Sequence, residues 1–381
     1  MQWYMKLHKG IGMQVSIVIP NYKGEAYLVP CIRSILEADA DGISMCIRII
    51  DNASDDGALA ALEAFLVERQ YLKADAMTAA SKAQMQKHMA KAERIWKKEQ
   101  AERVLFLPID MRLPRVEVTR LPENTGFCHA VNVGIRLSSE EYIFLLNNDT
   151  TIEPACISAL CRCMETHPNA FSVSAKMLVM ADPTLADDCG DSFSALGYAR
   201  GRGKGKKETL YQEEETVFAA CGGAAMYRRK WLSPSMVGLF DENHFAYLED
   251  MDLGYRARIY GYENYFSPEA RVLHAGSAVS GSKHNAFKQR LAGQNNIYLL
   301  YKNMPMGQLL LNVPFLAAGF MIKILYFTMK GLGGAYLSGM RAGFGLCMSP
   351  KGRKHKVRFR LKHLRNYVKI QLLLWRNLVE Q

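Results

Sequence analysis

The chain has 381 residues, 49% of them hydrophobic, and a formal net charge of +11. That is length for one large domain with an appendage or for two domains, and a charge that favours an anionic partner: nucleic acid, anionic lipid or a phosphorylated substrate. The nine cysteines are dispersed, and the closest pair, Cys161 and Cys163, matches no zinc or thioredoxin spacing, which points to a reducing compartment; Met1–Gly12 has no apolar core, so no secretory signal is expected.

Val15 to Pro20 reads as a buried strand, and Tyr27 to Ala38 as a helix with Leu28, Ile32, Ile35 and Leu36 on one stripe. Cys46 to Ile50 is a second strand, ending in Asp51-Asn52-Ala53-Ser54-Asp55-Asp56-Gly57, and a helix follows from Ala58. Between Arg69 and Arg103 the chain is rich in helix formers, with Met85, Met89, Ala92 and Trp96 on one stripe and Lys82, Lys87, Lys91, Lys97 and Lys98 mostly off it. This predicts an inserted amphipathic helix or helical hairpin packed on the domain by its Met/Trp stripe. Val116 to Leu121 is a third strand, Asn124-Thr125-Gly126-Phe127 turns into a helix through Leu137, and Tyr142 to Leu146 is a fourth strand. Strand and helix in alternation predict an α/β fold with a mainly parallel sheet and right-handed crossovers.

The fourth strand ends abruptly in Asn147-Asn148-Asp149. Ligands of open α/β sheets bind outside the carboxyl ends of the strands, where a hard divalent cation and a diphosphate want a carboxylate. An Asx turn into a helix capped by Thr150 or Thr151 accounts for the same residues without a ligand. Asp51, closing the second strand, is placed to accept the imide N–H of a uracil or thymine or the N1–H of guanine. Farther on, Glu249-Asp250-Met251-Asp252 puts three carboxylates into four residues, a crowding that a metal, a base role or a cation would use, as would the N-terminus of a helix. Val272-Leu273-His274 is a strand-like run ending in an imidazole, a further candidate metal ligand.

Gly201-Arg202-Gly203-Lys204-Gly205-Lys206-Lys207 is a basic glycine-rich loop without Walker A spacing. Leu309 to Met329 is strongly apolar but interrupted by Asn312, Pro314 and Lys323; its longest clean run, Val313 to Ile322, is too short to span a bilayer. A basic tail follows, from Lys351, Arg353 and Lys354 to Lys362 and Arg365. An apolar segment beside a cationic cluster is what an interfacial anchor on an anionic membrane surface needs.

In order along the chain, the words Ser16-Ile17-Val18-Ile19-Pro20-Asn21-Tyr22, Ile50-Asp51-Asn52-Ala53-Ser54-Asp55-Asp56-Gly57, Asn124-Thr125-Gly126-Phe127 with Asn132 and Gly134, Leu146-Asn147-Asn148-Asp149, Cys221-Gly222-Gly223-Ala224-Ala225-Met226, Gly238-Leu239-Phe240-Asp241-Glu242, Glu249-Asp250-Met251-Asp252 and His274 resemble a family 2 glycosyltransferase of the GT-A fold. The resemblance covers roughly residues 14 to 300 and is to the bacterial rhamnosyltransferase-like branch that builds surface polysaccharides. It implies a GT-A domain over 1–295, with its helical insert at about 69–103, and a helical, membrane-associating region over 296–381.

The resemblance implies that Asn21 and Asp51 hold the base and ribose of a nucleoside-diphosphate sugar. Pro20, Tyr22, Asn124, Gly126, Asn132, Asn147 and Asn148 stand on the same side, and Gly222 and Gly223 on the acceptor and sugar side. Asp149 is the implied metal carboxylate, holding Mg²⁺ or Mn²⁺ with the diphosphate and His274. Asp250 is the implied general base, with Glu249 and Asp252 as the other carboxylates. The reaction implied is an inverting transfer from a dTDP-rhamnose or UDP-sugar donor to a glycan or polyprenyl-linked acceptor, one sugar per encounter, since the Gln-x-x-Arg-Trp element of processive synthases is missing. The expected location is cytoplasmic, peripheral on the inner face of the cell membrane. An inactive nucleotide-sugar-binding protein and a nucleotidyltransferase are the competing classes. No nucleic-acid motif is present, and nucleic acid is not an expected partner.

Overall fold

A computed structural model of the protein describes residues 12–73, 92–110, 112–276 and 285–379. Of the predicted insert, Met85, Met89, Lys82, Lys87 and Lys91 lie outside the described residues, as does nearly all of the Met1–Gly12 segment.

The centre of the molecule is a parallel stack. β1 (Met13–Asn21) pairs with β2 (Ile43–Asp51) in a register that sets Asn21 beside Asp51. The strand that falls third beside β2 is β5 (Arg115–Arg120), reached after two edge strands, β3 (Tyr71–Lys73) and β4 (Glu102–Pro108). β6 (Tyr142–Leu146) lies on the other flank of β1, also parallel. Beyond it the sheet becomes mixed. Short β7 (Thr150–Ile152) pairs with β14 (Glu263–His274), and β8 (Ala170–Val179) carries β9 (Asp182–Asp188). The ribbon of β10 (Asp191–Phe193) and β11 (Ala199–Gly201) stands apart, β12 (Glu215–Val217) takes the edge, and β13 (Ala224–Arg228) runs antiparallel between β6 and β8. The order across the sheet is β12-β14-β8-β13-β6-β1-β2-β5-β4-β3. This is the expected mixed α/β architecture, parallel at its heart, with helices on both faces.

Alternation along β1 explains the layers. Val15, Ile17 and Ile19 face one core with α1 (Leu28–Leu36), α2 (Ala58–Glu68) and α4 (Cys156–Thr166). Val18 faces the other, with α3 (Phe127–Leu137) and helical residues 92–99. Gly134 permits the close approach of α3, since a Cβ there would stand 2.4 Å from Val18 Cγ1.

The insert departs from a simple helix at both described ends. Tyr71–Lys73 and Glu102–Pro108 are strands that extend the sheet beyond β5. Buried Leu105 and Phe106 and the partly buried Val104 suit a sheet, and pairing covers an edge that β5 would otherwise expose. Trp96 is buried as expected and donates its indole N–H to Thr119 Oγ1 at 2.9 Å.

α5 (Glu249–Ile259) closes the core ahead of β14, and the described residues from 286 on are mainly helical: α6 (Ala286–Asn303), α7 (Met306–Met329), α8 (Gly333–Met348), α9 (Pro350–Lys354) and α10 (Leu364–Val379) pack around that core. Here the sequence-based length was too short. α7 is one uninterrupted helix of 24 residues, long and apolar enough by length and composition to cross a membrane. The interrupting polar residues do not break it because they turn toward the protein. Asn312 exchanges side-chain hydrogen bonds of 2.8 and 2.9 Å with Gln371, and Lys323 donates to the Gly197 carbonyl. Pro314 forgoes one intrahelical bond.

Candidate active site

The carboxyl ends of β1, β2 and β6 meet at one edge. Asn21 donates from Nδ2 to Asp51 Oδ1 at 2.8 Å and accepts on Oδ1 from Asn148 Nδ2 at 2.8 Å. All three are buried. Asp51 Oδ2 also accepts from the Ser54 amide and lies 3.7 Å from Arg120 Nε. Pro20 and Tyr22 flank this knot, both half-buried. Asn124 and Gly126 adjoin it through Asn52, whose Nδ2 donates to Asn124 Oδ1 and the Gly126 carbonyl and whose Oδ1 accepts from the Thr125 amide. Gly126 has φ +87°, and a Cβ there would collide with the Phe245 ring at 2.5 Å. Asn132 stands apart: its Nδ2 donates to the Phe240 carbonyl and Glu242, and its Oδ1 accepts from the Phe240 amide. Those three bonds occupy it in holding the Gly238–Glu242 turn.

Asp149 follows β6 and faces the end of β14. His274 Nε2 lies 3.4 Å from Asp149 Oδ1, while His274 Nδ1 is 2.7 Å from Asp187 Oδ2. Burial alone would lower the His274 pKa, but hydrogen bonds to Asp149 and Asp187 and their charges raise it to about 9. Asp187 in turn accepts from Lys204 at 2.9 Å; burial would raise its pKa, yet His274 and Lys204 hold it down at about 2. The donor set fits a hard divalent ion. A carboxylate and an imidazole bound side by side at ~2.1 Å from an octahedral ion stand about 3 Å apart. A carboxylate on the far nitrogen is the usual orienting partner of a metal-binding histidine.

The second half of the site is joined by a two-glycine turn. The Asn147 amide donates to the Gly223 carbonyl at 2.9 Å, and the Gly222 amide donates to Asp250 Oδ2 at 3.0 Å. Asp250 is half-buried, and desolvation raises its pKa against the lowering of the Gly222 and Met251 amides. Glu249 is buried with Oε2 unpartnered among the described residues, and burial beside Asp250 pushes its pKa well up.

Asp252 has a different part. It is fully buried and accepts from Arg256 Nε and Nη2 at 3.0 and 2.8 Å, Lys302 Nζ at 2.8 Å and Asn303 Nδ2 at 2.8 Å. Despite burial these cations hold its pKa far down. Such a carboxylate is a counter-ion that ties α5 to α6, and it is not free to take a proton.

The approach to α5 is strained. Phe245, Tyr247 and Leu248 have φ of 59°, 71° and 64°, a region costly for side-chain-bearing residues. Asn295 of α6 holds this stretch, donating from Nδ2 to the carbonyls of His244, Ala246 and Tyr247 at 2.9, 2.8 and 2.8 Å.

Sequence reasoning missed Asn295, Lys302 and the run Asp187-Asp188-Cys189-Gly190-Asp191. Side-chain ligand atoms of Asp188, Asp191 and Cys221 lie within 4.8 Å of one another. Burial, with the charges of Asp187 and Asp250, pushes the Asp188 pKa up to about 7, and burial pushes that of Asp191 well up. The cue was present: three carboxylates in five residues, the crowding already noted at Glu249–Asp252.

Residues 99–234 match the model of glycosyl transferase family 2, a stretch that contains Asn124, Asp149 and the two glycines but begins after Asn21 and Asp51 and stops before Asp250 and His274. The chain is similar to the N-acetylglucosaminyl-diphospho-decaprenol L-rhamnosyltransferase of Mycobacterium tuberculosis, 25% identical over 193 residues, covering 43% of this chain and 60% of the relative's length. The chain thus spans 60% of the curated relatives it matches. Among solved structures it is similar to the mannosyltransferase PcManGT of Pyrobaculum calidifontis in complex with GDP-Man and Mn²⁺, at TM-score 0.47 and 13% identity, covering 97% of this chain and 94% of that one. It is also similar to GalNAc-T7 with UDP, GalNAc and Mn²⁺, at TM-score 0.47 and 14% identity, covering 84% and 57%.

Proposed function

We propose, for a chain that carries a family 2 glycosyltransferase region, that the protein moves one sugar from a nucleoside-diphosphate sugar to a hydroxyl of a glycan or polyprenyl-linked glycan, with inversion. The observation that carries this reading is the convergence of two distant stretches. The Asn21–Asp51–Asn148 knot and Asp149 stand at the sheet edge, and the Gly222–Gly223 turn bonds that edge to Asp250.

In this reading Asn21 and Asp51 hold the base and ribose, and Asn148 faces the ribose and sugar. Asp149 and His274 would hold Mg²⁺ or Mn²⁺, which neutralises charge on the departing diphosphate. Asp250, its basicity raised by burial, takes the acceptor hydroxyl's proton. The hydroxyl oxygen bonds to the anomeric carbon as that carbon's bond to the diphosphate oxygen breaks, and the electron pair leaves with the nucleoside diphosphate. Glu249, buried and adjacent, favours a proton-holding rather than a charged state and supports Asp250 without replacing it.

The name of the mycobacterial relative supports a polyprenyl-diphosphate-linked acceptor and a rhamnosyl donor, with UDP-sugars as the second donor class. A lipid-linked acceptor fits the surface of the C-terminal region. Leu310, Met321, Leu325 and Met329 of α7 and Phe344 and Met348 of α8 are exposed. Lys351, Arg353, Lys354, Arg358, Arg360 and Lys362 follow, also exposed. We take 296–381 as the region that rests on an anionic leaflet at the cytoplasmic face, through apolar burial and charge together.

The test is ligand-induced stabilisation by UDP, dTDP and GDP with and without Mn²⁺. Metal-dependent stabilisation by one nucleotide, lost in Asp149→Ala, is expected. Silence toward all of them at millimolar concentration would sink the donor assignment.

A further inference from the structure

The glycine-rich basic loop takes no part in the reading above, yet the structure sets it beside the site. A cleft of about 520 Å³ opens between the Ala199–Tyr211 segment and α10, lined by Arg200, Arg202, Lys204, Lys206, Tyr211 and Asn377. A second cavity of about 360 Å³ shares Arg202 and Asn377 with it and adds Arg376. We propose that this cleft binds the diphosphate of a lipid-linked acceptor.

Charge is the first argument. Arg202 pairs with Glu215, and Lys204 pairs with Asp187 at 2.9 Å. The side chains of Arg200 and Lys206 are exposed and have no partner among the described residues. Lys288 of α6 lies near enough to Lys204 for the two ammonium charges to repel. The cleft therefore holds cationic charge in excess of its own carboxylates, and a bridging diphosphate, ionised on both phosphates, supplies what is lacking. Gly203 and Gly205 have φ of +79° and +74°, and nothing lies within 4 Å of a Cβ at Gly205, so the turn leaves room around its cations.

Position is the second argument. On one side Lys204 leads through Asp187 to His274 and from there to Asp149. On the other side the two residues that lead into this segment are bonded to the apolar helix: Tyr198 Oη donates to the Gly319 carbonyl at 2.9 Å, and Lys323 donates to the Gly197 carbonyl at 3.2 Å. A prenyl-diphosphate glycan has its charge between an apolar tail and a sugar. The cleft has its cations between an apolar surface and the candidate transfer site. This rests on the glycosyltransferase reading for the sugar end alone; the anion site stands on the cleft's own residues.

The donor also carries a diphosphate, so the experiment must separate the two sources. Binding of farnesyl diphosphate and of inorganic pyrophosphate is measured by calorimetry on the full chain, with and without saturating Mn²⁺ and the preferred nucleotide. The comparison variant is Arg200→Ala/Lys206→Ala, which removes two exposed side chains without a partner among the described residues, with circular dichroism as the folding check. Farnesyl diphosphate should bind with the nucleotide already in place, and the variant should weaken it about ten- to a hundredfold while leaving nucleotide affinity unchanged. Equal affinity in variant and wild type overturns the proposal. So does a variant that loses the nucleotide in parallel, for the cations would then serve the donor. Nucleotide silence with farnesyl diphosphate still held by Arg200 and Lys206 supports the cleft and overturns the donor reading alone.

Discussion

Asn295 is the residue whose removal tests how the candidate base is positioned. Its Nδ2 is the shared donor for the carbonyls of His244, Ala246 and Tyr247, and its Oδ1 has no partner among the described residues. The stretch it holds contains three side-chain-bearing residues at positive φ. At ~1 kcal/mol or more each, they store about 3–6 kcal/mol of backbone energy that must be balanced locally. Asn295→Ala leaves buried carbonyls without a donor at about 1–3 kcal/mol. The strained turn is then free to relax toward negative φ. Leu248, at φ 64°, directly precedes Glu249 and Asp250, so relaxation moves the carboxylate that Gly222 holds. Misplacement on the scale of 1 Å costs about 10²-fold in turnover. The expected result is a turnover loss of that order, a melting temperature lower by several degrees, and affinity for nucleotide and metal reduced far less than turnover, since Asn21, Asp51 and Asp149 lie on other elements and the turn meets the nucleotide side only where Phe245 packs on Gly126. Asn295→Asp, which keeps the size and turns the donor into an acceptor, should be at least as severe. Wild-type turnover in Asn295→Ala would refute the clamp. A nucleotide affinity that fell in step with turnover would show a global effect and refute the local argument.

Asp250→Asn should lower turnover by roughly 10²–10⁴-fold with donor affinity intact; near-normal turnover would move the base to Glu249. His244 is fully buried with both ring nitrogens unpartnered among the described residues, and burial, helped by the Lys302 charge, depresses its pKa to about 4 against the pull of Asp252 and Asp241. The unfolded chain, titrating near 6.5, therefore binds the proton first, so stability present above pH ~6.5 falls by about 3 kcal/mol as the pH drops to 4. Urea midpoints measured across that window should fall less steeply in His244→Phe than in wild type, and an identical slope would exonerate His244. Leu310→Ser/Leu325→Ser removes two exposed apolar side chains from α7 and should weaken flotation with phosphatidylglycerol vesicles more than tenfold at ~1.5 kcal/mol each; unchanged flotation would take α7 off the membrane.

What the sequence made legible followed from one physical fact: a strand buried on both faces is a continuous apolar run, and its end is abrupt. Val15 to Pro20, Cys46 to Ile50 and Tyr142 to Leu146 come close to such runs, broken only by the buried Ser16 and Arg48, and polar residues just beyond them, Asn21, Asp51 and Asn148, are joined by hydrogen bonds at one edge. The far side of the sheet was opaque because its pairings are long-range. Nothing local ties Asp187 to His274; the link comes from β9 and β14 flanking β8. Nor does composition separate Asp250 from Asp252. Two steps of about 100° around a helix turn them apart, one toward Gly222 and the other toward Lys302.

That divergence ties the C-terminal helices to the segment that carries the proposed base. Asp252 binds Lys302 and Asn303, Asp241 binds Lys302 and Tyr298, and Asn295 holds the strained turn, so α6 supplies four anchors of the segment from 241 to 252. α8 is packed on α6 at backbone distance, for a Cβ at Gly293 would stand 2.5 Å from the Tyr336 carbonyl, and one at Gly339 2.1 Å from the Arg290 carbonyl. In the proposed reading, a surface that would rest on lipid through α7 and α8 is thus tied, through two glycine contacts and one helix, to the segment bearing the carboxylate that would take the acceptor's proton. In such an arrangement the height of the active site above the leaflet is set by packing and not by a linker, which is what transfer to an acceptor anchored in that leaflet requires.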